Sequence, residues 1–214
     1  MKNLIRALMA GWFVLLWLPW SAVGDVTSSF QEGVHYQRLA TPVPTATGDK
    51  IEVVELFWYG CGHCYSLEPV ITAWLEKKPA NVEFVRIPAV LGRNWEPHAR
   101  AYYAAQVLGV ADKVHKPLMD AIHAQKRTIF NEEQLAAFFA EQGVDKEAFL
   151  KAYKSFEVET KLRRSLQLVQ RYGIDGVPAV IVNGKFVTNG TLAGSTAKIF
   201  EVVDYLLAKE SKTS

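Results

Sequence analysis

The sequence predicts an α/β fold in which an all-helical domain is inserted into a small β-sheet domain. Three observations support this prediction. An apolar strand, a helix and a second apolar strand occupy residues 51–88, segments with helical spacing fill residues 96–172, and strand character returns from residue 177. With 214 residues, of which 50% are hydrophobic, the chain is long enough to form a well-packed core with such an insertion.

The N-terminus has the layout of a secretory signal peptide. A basic start with Lys2 and Arg6 precedes an apolar stretch over residues 7–20, and small residues follow it. The alternative is an uncleaved membrane anchor, but the apolar stretch is shorter than the roughly 20 residues of a membrane span, and Pro19 interrupts it. We therefore expect cleavage after Gly24 and a mature protein outside the cytoplasm.

The charge of the mature chain is balanced. The whole sequence has 24 lysines and arginines and 22 aspartates and glutamates, and Lys2 and Arg6 belong to the segment that is removed. A chain without excess positive charge lacks the electrostatic footprint of a nucleic-acid-binding protein. We therefore predict that nucleic acid is not a partner.

The β-α-β unit begins with the strongest strand signal in the chain. Residues 51–59 are almost continuously apolar, β-branched or aromatic, which predicts a central strand covered on both faces. A helix over residues 63–78 follows, with a kink expected at Pro69, and residues 82–88 form a second central strand. Before this unit, residues 34–39 are predicted as a short edge strand.

The middle of the chain is predicted to be all-helical. Its segments have helical spacing and are separated by capping residues and glycines. The predicted helices cover residues 96–108, 111–125, 132–142, 146–153 and 156–172. Their candidate N-caps are Asn131, Asp145 and Ser155, and their candidate stop signals are Gly109, Gly143 and Gly173.

Strand character returns in a hairpin near the C-terminus. Apolar runs at residues 177–182 and 185–188 flank an Asn-Gly pair, which is typical of two-residue hairpin turns. A last helix over residues 196–209 follows Ser195 as its N-cap.

This order of elements predicts a thioredoxin-like fold with an inserted all-helical domain. After the signal peptide at residues 1–24, we expect the thioredoxin-like domain at residues 25–91 and 174–214 and the helical insertion at residues 92–173.

Cys61 and Cys64 lie at the junction of the first central strand and its helix, separated by Gly62 and His63. Two cysteines at this spacing can form a reversible disulfide, and a helix N-terminus directs free N–H groups and positive charge at the first sulfur. We therefore predict that Cys61 is a thiolate nucleophile. The ring of His63 is expected to stabilise this thiolate further and to make the disulfide more oxidising.

Other roles for a Cys-x-x-Cys motif fit this chain less well. A purely structural disulfide would close a loop of only about four residues, which gives roughly 2 kcal/mol at best on the chain-entropy model. A zinc site lacks a second pair of ligands at suitable spacing, and a c-type haem requires histidine where this chain has Tyr65. We therefore predict no metal and no cofactor.

Glu55 is unusual because an acid inside a buried strand is costly unless it is paired or protonated. We expect it beneath the disulfide, where a carboxyl of raised pKa would relay a proton to or from Cys64. Arg86 on the neighbouring strand is a candidate charge partner, and Glu68 on the following helix is a candidate tuning residue. The alternatives are a carboxylate at the sheet margin for Glu55 and a solvated helix face for Glu68.

Two motifs are informative together: Phe57-Trp58-Tyr59-Gly60-Cys61-Gly62-His63-Cys64-Tyr65 and, far downstream, Gly176-Val177-Pro178. In these motifs the sequence resembles the DsbA family of periplasmic disulfide oxidoreductases, and the resemblance covers essentially the whole mature chain. It departs from the family's best-known members at Gly62, where they have proline. With His63 this gives the dipeptide of protein disulfide isomerase, which is less oxidising than DsbA.

The resemblance implies roles for individual residues. Cys61 would be the exposed attacking cysteine and Cys64 the buried resolving one. A cis peptide bond between Val177 and Pro178 would face them, and the backbone of Val177 would pair with an extended substrate segment. Glu55 matches the family's buried acid, and lysine is usual at the position of Arg86.

The leading functional hypothesis is a periplasmic dithiol oxidase that introduces disulfides into unfolded secreted proteins with free cysteines. The resemblance implies a quinone-linked membrane oxidase of DsbB type as its oxidant, and we expect a monomer. The alternative is a periplasmic isomerase or reductase. Such isomerases carry an N-terminal dimerisation module, whereas only about 25 residues separate Gly24 from Ile51 here. A third hypothesis is a chaperone whose disulfide is structural, which would stay active after a Cys61→Ser substitution.

Overall fold

A five-stranded β-sheet forms the centre of the computed structural model, which describes residues 30–211. The strands are β1 (Gln37–Arg38), β2 (Ile51–Phe57), β3 (Val82–Pro88), β4 (Ala179–Val182) and β5 (Phe186–Asn189). The helices are α1 (Gly62–Leu75), α2 (Glu96–Val107), α3 (Ala111–His123), α4 (Glu132–Glu141), α5 (Lys146–Tyr153), α6 (Phe156–Tyr172) and α7 (Ile199–Ser211). The predicted signal peptide lies outside the described residues.

Strand β2 lies inside the sheet, as its apolar sequence predicts. The strand order is β1-β5-β4-β2-β3, with β2 parallel to β3 and antiparallel to β4. All seven residues of β2 are buried, which matches a strand covered on both faces. The parallel register places Glu55 of β2 directly beside Arg86 of β3.

Helices α2 to α6 follow one another between β3 and β4, and α4, α5 and α6 begin at the N-caps that the sequence predicts. The side chains of Asn131, Asp145 and Ser155 each accept a hydrogen bond from the backbone N–H three residues on, at 2.9, 2.8 and 3.2 Å. These bonds satisfy N–H groups that have no partner within the helix. Helix α6 ends at Gly173, whose φ of 63° is left-handed.

The helical block packs directly on the segment that carries the cysteines. Phe57, Tyr59 and Cys64 belong to the same buried cluster as side chains from α2, α3 and α4, among them Tyr102 and Leu118. Burial of this shared apolar surface stabilises the docking of the helices on the sheet domain. The surroundings of the second cysteine are therefore built by both parts of the chain.

The turn between β4 and β5 requires glycine. Asn183 and Gly184 have φ values of 52° and 61°, and the N–H of Lys185 donates to the carbonyl of Val182 at 3.0 Å. These are the features of a type I′ turn, which the Asn-Gly pair predicts. A side chain at position 184 would also overlap the backbone carbonyl of Val43, so two independent constraints exclude other residues.

Some element boundaries differ from the prediction. Strand β2 ends at Phe57, earlier than predicted, because the carbonyl of Trp58 accepts the N–H of Cys61 at 3.0 Å and closes a turn. The edge strand predicted over residues 34–39 is reduced to Gln37–Arg38, since its partner β5 is short. No helix in the described part of the chain is both long and apolar enough to cross a membrane.

Candidate redox site

Cys61 is the N-cap of helix α1, and a glycine shapes the turn before it. The backbone of Cys61 is extended, with φ of −91° and ψ of 114°, and its Sγ accepts the N–H of Cys64 at 3.2 Å. The sulfur thus occupies the place that a serine or aspartate oxygen takes at ordinary N-caps. A Cβ at Gly60 would overlap the indole ring of Trp58, so this turn needs glycine.

The thiol of Cys61 ionises easily. A hydrogen bond from the Cys64 side chain lowers the pKa of Cys61 to about 6, against the opposing effect of partial burial. The backbone N–H groups of Cys64 and His63 and the charge of the His63 ring lower it further. At neutral pH the thiolate, which is the nucleophilic form, therefore predominates.

Cys64 has the opposite character. Its side chain is fully buried, and burial raises the pKa of the Cys64 thiol well above its usual range. The hydrogen bond to Cys61 and the charge on Cys61 raise that pKa further. The two sulfurs are therefore chemically distinct: Cys61 is suited to attack and to leave as a thiolate, and Cys64 is suited to hold a proton.

The fold brings Val177 and Pro178 against Cys61. The thiol of Cys61 lies 3.4 Å from the carbonyl oxygen of Val177, 116 positions away in sequence. The peptide bond between Val177 and Pro178 is cis, as the resemblance implies. Both residues line a shallow cavity together with His63. The reactive sulfur is thus bordered by a backbone segment and an open hollow that suit an extended peptide.

The two residues between the cysteines are exposed. A Cβ at Gly62 would have no neighbouring atom within 4 Å, so this position tolerates a side chain. His63 acts on Cys61 through its backbone N–H and the charge of its ring.

Glu55 lies in the core with Arg86 as its partner. The carboxyl group has no exposed surface, and Arg86 Nε donates to Oε2 at 2.9 Å. Within the described residues, Oε1 has no hydrogen-bond partner. Burial, opposed by the charge of Arg86, raises the pKa of Glu55 to about 8. The alternative of a solvated carboxylate at the sheet margin is therefore wrong.

Glu68 belongs to the same network. Only 8% of its surface is exposed, and its carboxylate accepts hydrogen bonds from Arg86 Nη2 at 3.1 and 3.3 Å. Burial opposes ionisation, but the hydrogen bond from His115 and the charge of Arg86 lower the pKa of Glu68 below its ordinary value. The alternative of a solvated helix face is wrong, because Glu68 shares one guanidinium with Glu55.

Reasoning from the sequence does not single out His115 and Tyr59, which complete this network. His115 Nε2 lies 2.9 Å from Glu68 Oε1, and His115 Nδ1 lies 3.1 Å from the hydroxyl oxygen of Tyr59. The available signal was the helical spacing of His115 with Leu118 and Ile122. This spacing puts the histidine on the buried face of α3.

Aromatic rings flank the motif on the side of the helical block. Trp58 and Trp95 stack with their ring centroids 4.3 Å apart and an interplanar angle of 3°. Phe130 lies beside Trp58 and keeps 38% of its surface exposed. The sequence is compatible with two places for Trp95, namely the lining of a hydrophobic groove beside the motif and the core. The structure places it half-buried, at the edge of a core cluster.

Comparison with known proteins identifies relatives over the whole chain. A family model described as DSBA-like thioredoxin domain matches residues 86–197. The thiol:disulfide interchange protein DsbA of Pseudomonas aeruginosa is 39% identical over 210 residues, which cover 98% of this chain and 97% of the relative. The protein of the same description from Azotobacter vinelandii is 41% identical over 209 residues, again 98% and 97%.

Solved structures agree with these sequence matches. The crystal structure of Pseudomonas aeruginosa DsbA is similar with a TM-score of 0.82 and 40% identity, over 87% of this chain and 97% of that one. A complex of a Proteus mirabilis DsbA variant with a non-covalently bound peptide matches with a TM-score of 0.70 and 28% identity, over 84% and 99%. The thioredoxin-like fold with a helical insertion, predicted from the sequence, is confirmed.

Proposed function

This chain belongs to the DsbA family of thiol:disulfide oxidoreductases, and from that premise we propose that it donates disulfides to secreted proteins through Cys61 and Cys64. One observation carries the proposal, namely the asymmetry of the two thiols. Cys61 is partly accessible and has a pKa lowered to about 6, whereas burial raises the pKa of Cys64. A disulfide whose exposed sulfur leaves readily as a thiolate is a good oxidant.

The proposed reaction has two exchange steps. A substrate thiolate attacks Cys61 Sγ of the oxidised enzyme, the bond between Cys61 and Cys64 breaks, and its electron pair passes to Cys64. A second substrate thiolate then attacks the substrate sulfur of this mixed disulfide and releases Cys61 as a thiolate. The substrate loses two electrons and gains a disulfide, and the enzyme gains the two electrons.

Glu55 supplies the proton that the first step requires. Cys64 leaves as a thiolate in a buried environment, where the charged form is costly. Glu55 is protonated at neutral pH because burial raises its pKa to about 8, and the charges of Glu55 and the cysteines influence one another. Arg86 balances the carboxylate that remains after transfer, at 2.9 Å from Oε2. Glu68 helps to raise the pKa of Glu55, and His63 helps to lower the pKa of Cys61.

Substrates bind as extended segments beside Cys61. The carbonyl of Val177 is directed at the sulfur, and Pro178 fixes the neighbouring backbone. Backbone pairing of this kind gives affinity with little side-chain specificity, which suits many unfolded proteins with free cysteines. The peptide complex of the Proteus mirabilis relative supports this part of the proposal.

The cellular setting completes the proposal. Cleavage after Gly24 would release the protein into the periplasm as a monomer. There a quinone-linked membrane oxidase of DsbB type would reoxidise Cys61 and Cys64. The disulfide would then be supplied repeatedly at the expense of a membrane oxidant.

The equilibrium redox potential of the Cys61/Cys64 pair tests the proposal. The mature protein would be equilibrated with defined glutathione mixtures, and its oxidised fraction measured by tryptophan fluorescence. A potential between about −120 and −180 mV supports a disulfide donor. A potential near −270 mV, the value of thioredoxin, would instead favour a reductase. A Cys61→Ser variant must be inactive on substrates, whereas a chaperone with a structural disulfide would stay active after this substitution.

A further inference from the structure

His115 connects the helical block to the acids beneath the disulfide. It lies on α3 with 6% of its surface exposed, and it contacts Glu68 of α1 at 2.9 Å and the Tyr59 hydroxyl at 3.1 Å. A carboxylate only accepts hydrogen bonds, so the ring donates from Nε2 to Glu68. In the neutral ring Nδ1 then accepts from the hydroxyl of Tyr59, so the neutral form has a single tautomer.

The surroundings of His115 disfavour a charged ring. The rings of Phe57 and Tyr102 meet it edge-on, with centroids 5.2 and 6.3 Å away. Burial lowers the pKa of His115, and the charge of Arg86 from β3 adds to this. Against them act Glu68 of α1 and Asp112 of its own helix, which raise the pKa.

A hollow open to solvent reaches the ring of His115. Its lining includes Glu68 and Arg86 of the network beside the histidine, together with the charged residues Glu76, Asp112 and Lys116. The network therefore has a solvent-facing part formed by His115, Glu68 and Arg86 and a dry end at Glu55, which has no exposed surface.

One cation serves two acids in this network. Arg86 donates from Nη2 to Glu68 and from Nε to Glu55. If both acids were ionised, the buried cluster would carry an uncompensated negative charge, which is costly in the interior. One acid therefore keeps a proton. Glu68 has donors from both Arg86 and His115, whereas Glu55 has one donor and an unpartnered Oε1 in the described structure, so the proton resides on Glu55.

We infer that His115 is a positioning residue for disulfide exchange. By donating to Glu68 it keeps that acid ionised and paired with Arg86, and so it leaves the proton on Glu55 for delivery to Cys64. This inference rests on the proposed function only in taking Glu55 as the proton donor. The hydroxyl of Tyr59 fixes the orientation of the ring that makes this donation.

Loss of the His115 donor moves the proton. Without this hydrogen bond the ionised form of Glu68 is less stable, so Glu68 binds part of the proton that Glu55 otherwise holds. The charge of Arg86 then stabilises mainly the ionised form of Glu55. Glu55 ionises at lower pH, by about one unit, which is about a tenfold change in the ratio of its two forms. The proton held for Cys64 is correspondingly depleted at pH 7.

Infrared difference spectroscopy of the reduced protein follows this proton directly. The band of the protonated carboxyl is assigned to Glu55 by its loss in a Glu55→Gln variant, and its midpoint is then measured against pH. In His115→Leu the midpoint should fall by about one unit. In His115→Gln, which retains a donor and an acceptor but cannot be charged, it should stay within about 0.3 units of the original value.

His123→Leu is the matched control. His123 lies on the same helix and donates to the backbone carbonyl of Tyr59 at 2.7 Å, but it does not contact Glu68. Its loss perturbs the docking of α3 without removing the donor to the acid. The Glu55 midpoint should therefore stay unchanged in this variant.

Glu68→Gln tests the coupling between the two acids without changing His115. It removes the second anion, so the midpoint of Glu55 should fall at least as far as in His115→Leu, even if the leucine variant does not fold. An unchanged midpoint in folded His115→Leu, a shift in His115→Gln as large as in His115→Leu, or an equal shift in His115→Leu and His123→Leu would overturn the inference. The midpoint does not depend on the direction of disulfide exchange, so the redox potential tests the proposed function separately.

Discussion

Replacement of Glu55 by glutamine should stabilise the reduced protein at pH 7. The folded carboxyl is fully buried, and burial raises its pKa from an ordinary 4.5 to about 8. At pH 7 the unfolded chain therefore holds Glu55 ionised, whereas the folded protein holds it protonated, and this proton uptake costs free energy. Glutamine has nearly the shape of the protonated acid and avoids the cost.

The magnitude follows from the two pKa values. The interval from 4.5 to pH 7 is about 2.5 pH units, and at 1.36 kcal/mol per unit the uptake costs about 3 kcal/mol. In a domain of this size that corresponds to a rise in Tm of roughly 6–12 °C. Because the folded pKa is raised, the cost is absent below pH 4.5, grows between pH 4.5 and pH 8, and is constant above.

Urea denaturation of the reduced protein at pH 4 and at pH 7 measures this difference. The expected result is a gain of about 3 kcal/mol for Glu55→Gln at pH 7 and almost none at pH 4. Glu83→Gln is the matched control, since Glu83 is an exposed carboxylate on the neighbouring strand that pairs with Lys50 and should give no gain. Equal effects at both pH values, or a loss of stability at pH 7, would show that Glu55 is ionised in the folded protein.

Three further predictions concern the turn and the motif. The thiolate absorbance of the reduced protein should titrate with a midpoint near pH 6, and a midpoint near 9 would contradict the assignment of Cys61. Because the folded pKa of Cys61 is lowered from 9, the stability gained over Cys61→Ser should be lost as the pH falls through 6. Gly62→Pro should increase the free energy of unfolding by about 0.4–1 kcal/mol, because proline suits the first position of a helix and the preceding residue is extended. The measurement is Tm, and a lower Tm would refute this. Gly60→Ala should cost about 1–3 kcal/mol and change tryptophan fluorescence, because the new Cβ overlaps the ring of Trp58; unchanged melting and emission would show that the turn adapts.

Features with a local cause could be predicted from the sequence. Capping depends on a residue and its neighbours three positions on, so Asn131, Asp145 and Ser155 were identifiable as N-caps. The pairing of Glu55 with Arg86 follows from two adjacent strands in one β-α-β unit, because parallel register brings the middle of each strand together. The core of the candidate site was predictable for the same reason.

Features that depend on docking between distant elements could not be predicted. His115 is 47 positions from Glu68 and 56 from Tyr59, and it meets them only because α3 packs on α1 and on the end of β2. Without that packing, the sequence leaves Glu68 equally compatible with a solvated helix face. The contact of Val177 with Cys61, across 116 positions, required the family resemblance for its prediction.

The inserted helices hold the redox motif from both sides. On α3, His115 binds the hydroxyl of Tyr59, and His123 donates to the backbone carbonyl of the same residue at 2.7 Å. The ring of His123 also stacks on Tyr65, with centroids 5.0 Å apart, directly after the second cysteine. A hydrogen bond is lost when its donor and acceptor atoms move about 1 Å further apart, which is much less than the length of a side chain. A shift of α3 would therefore reach the residues before Cys61 and after Cys64 together, so the position of this motif is fixed by the insertion as well as by the sheet domain.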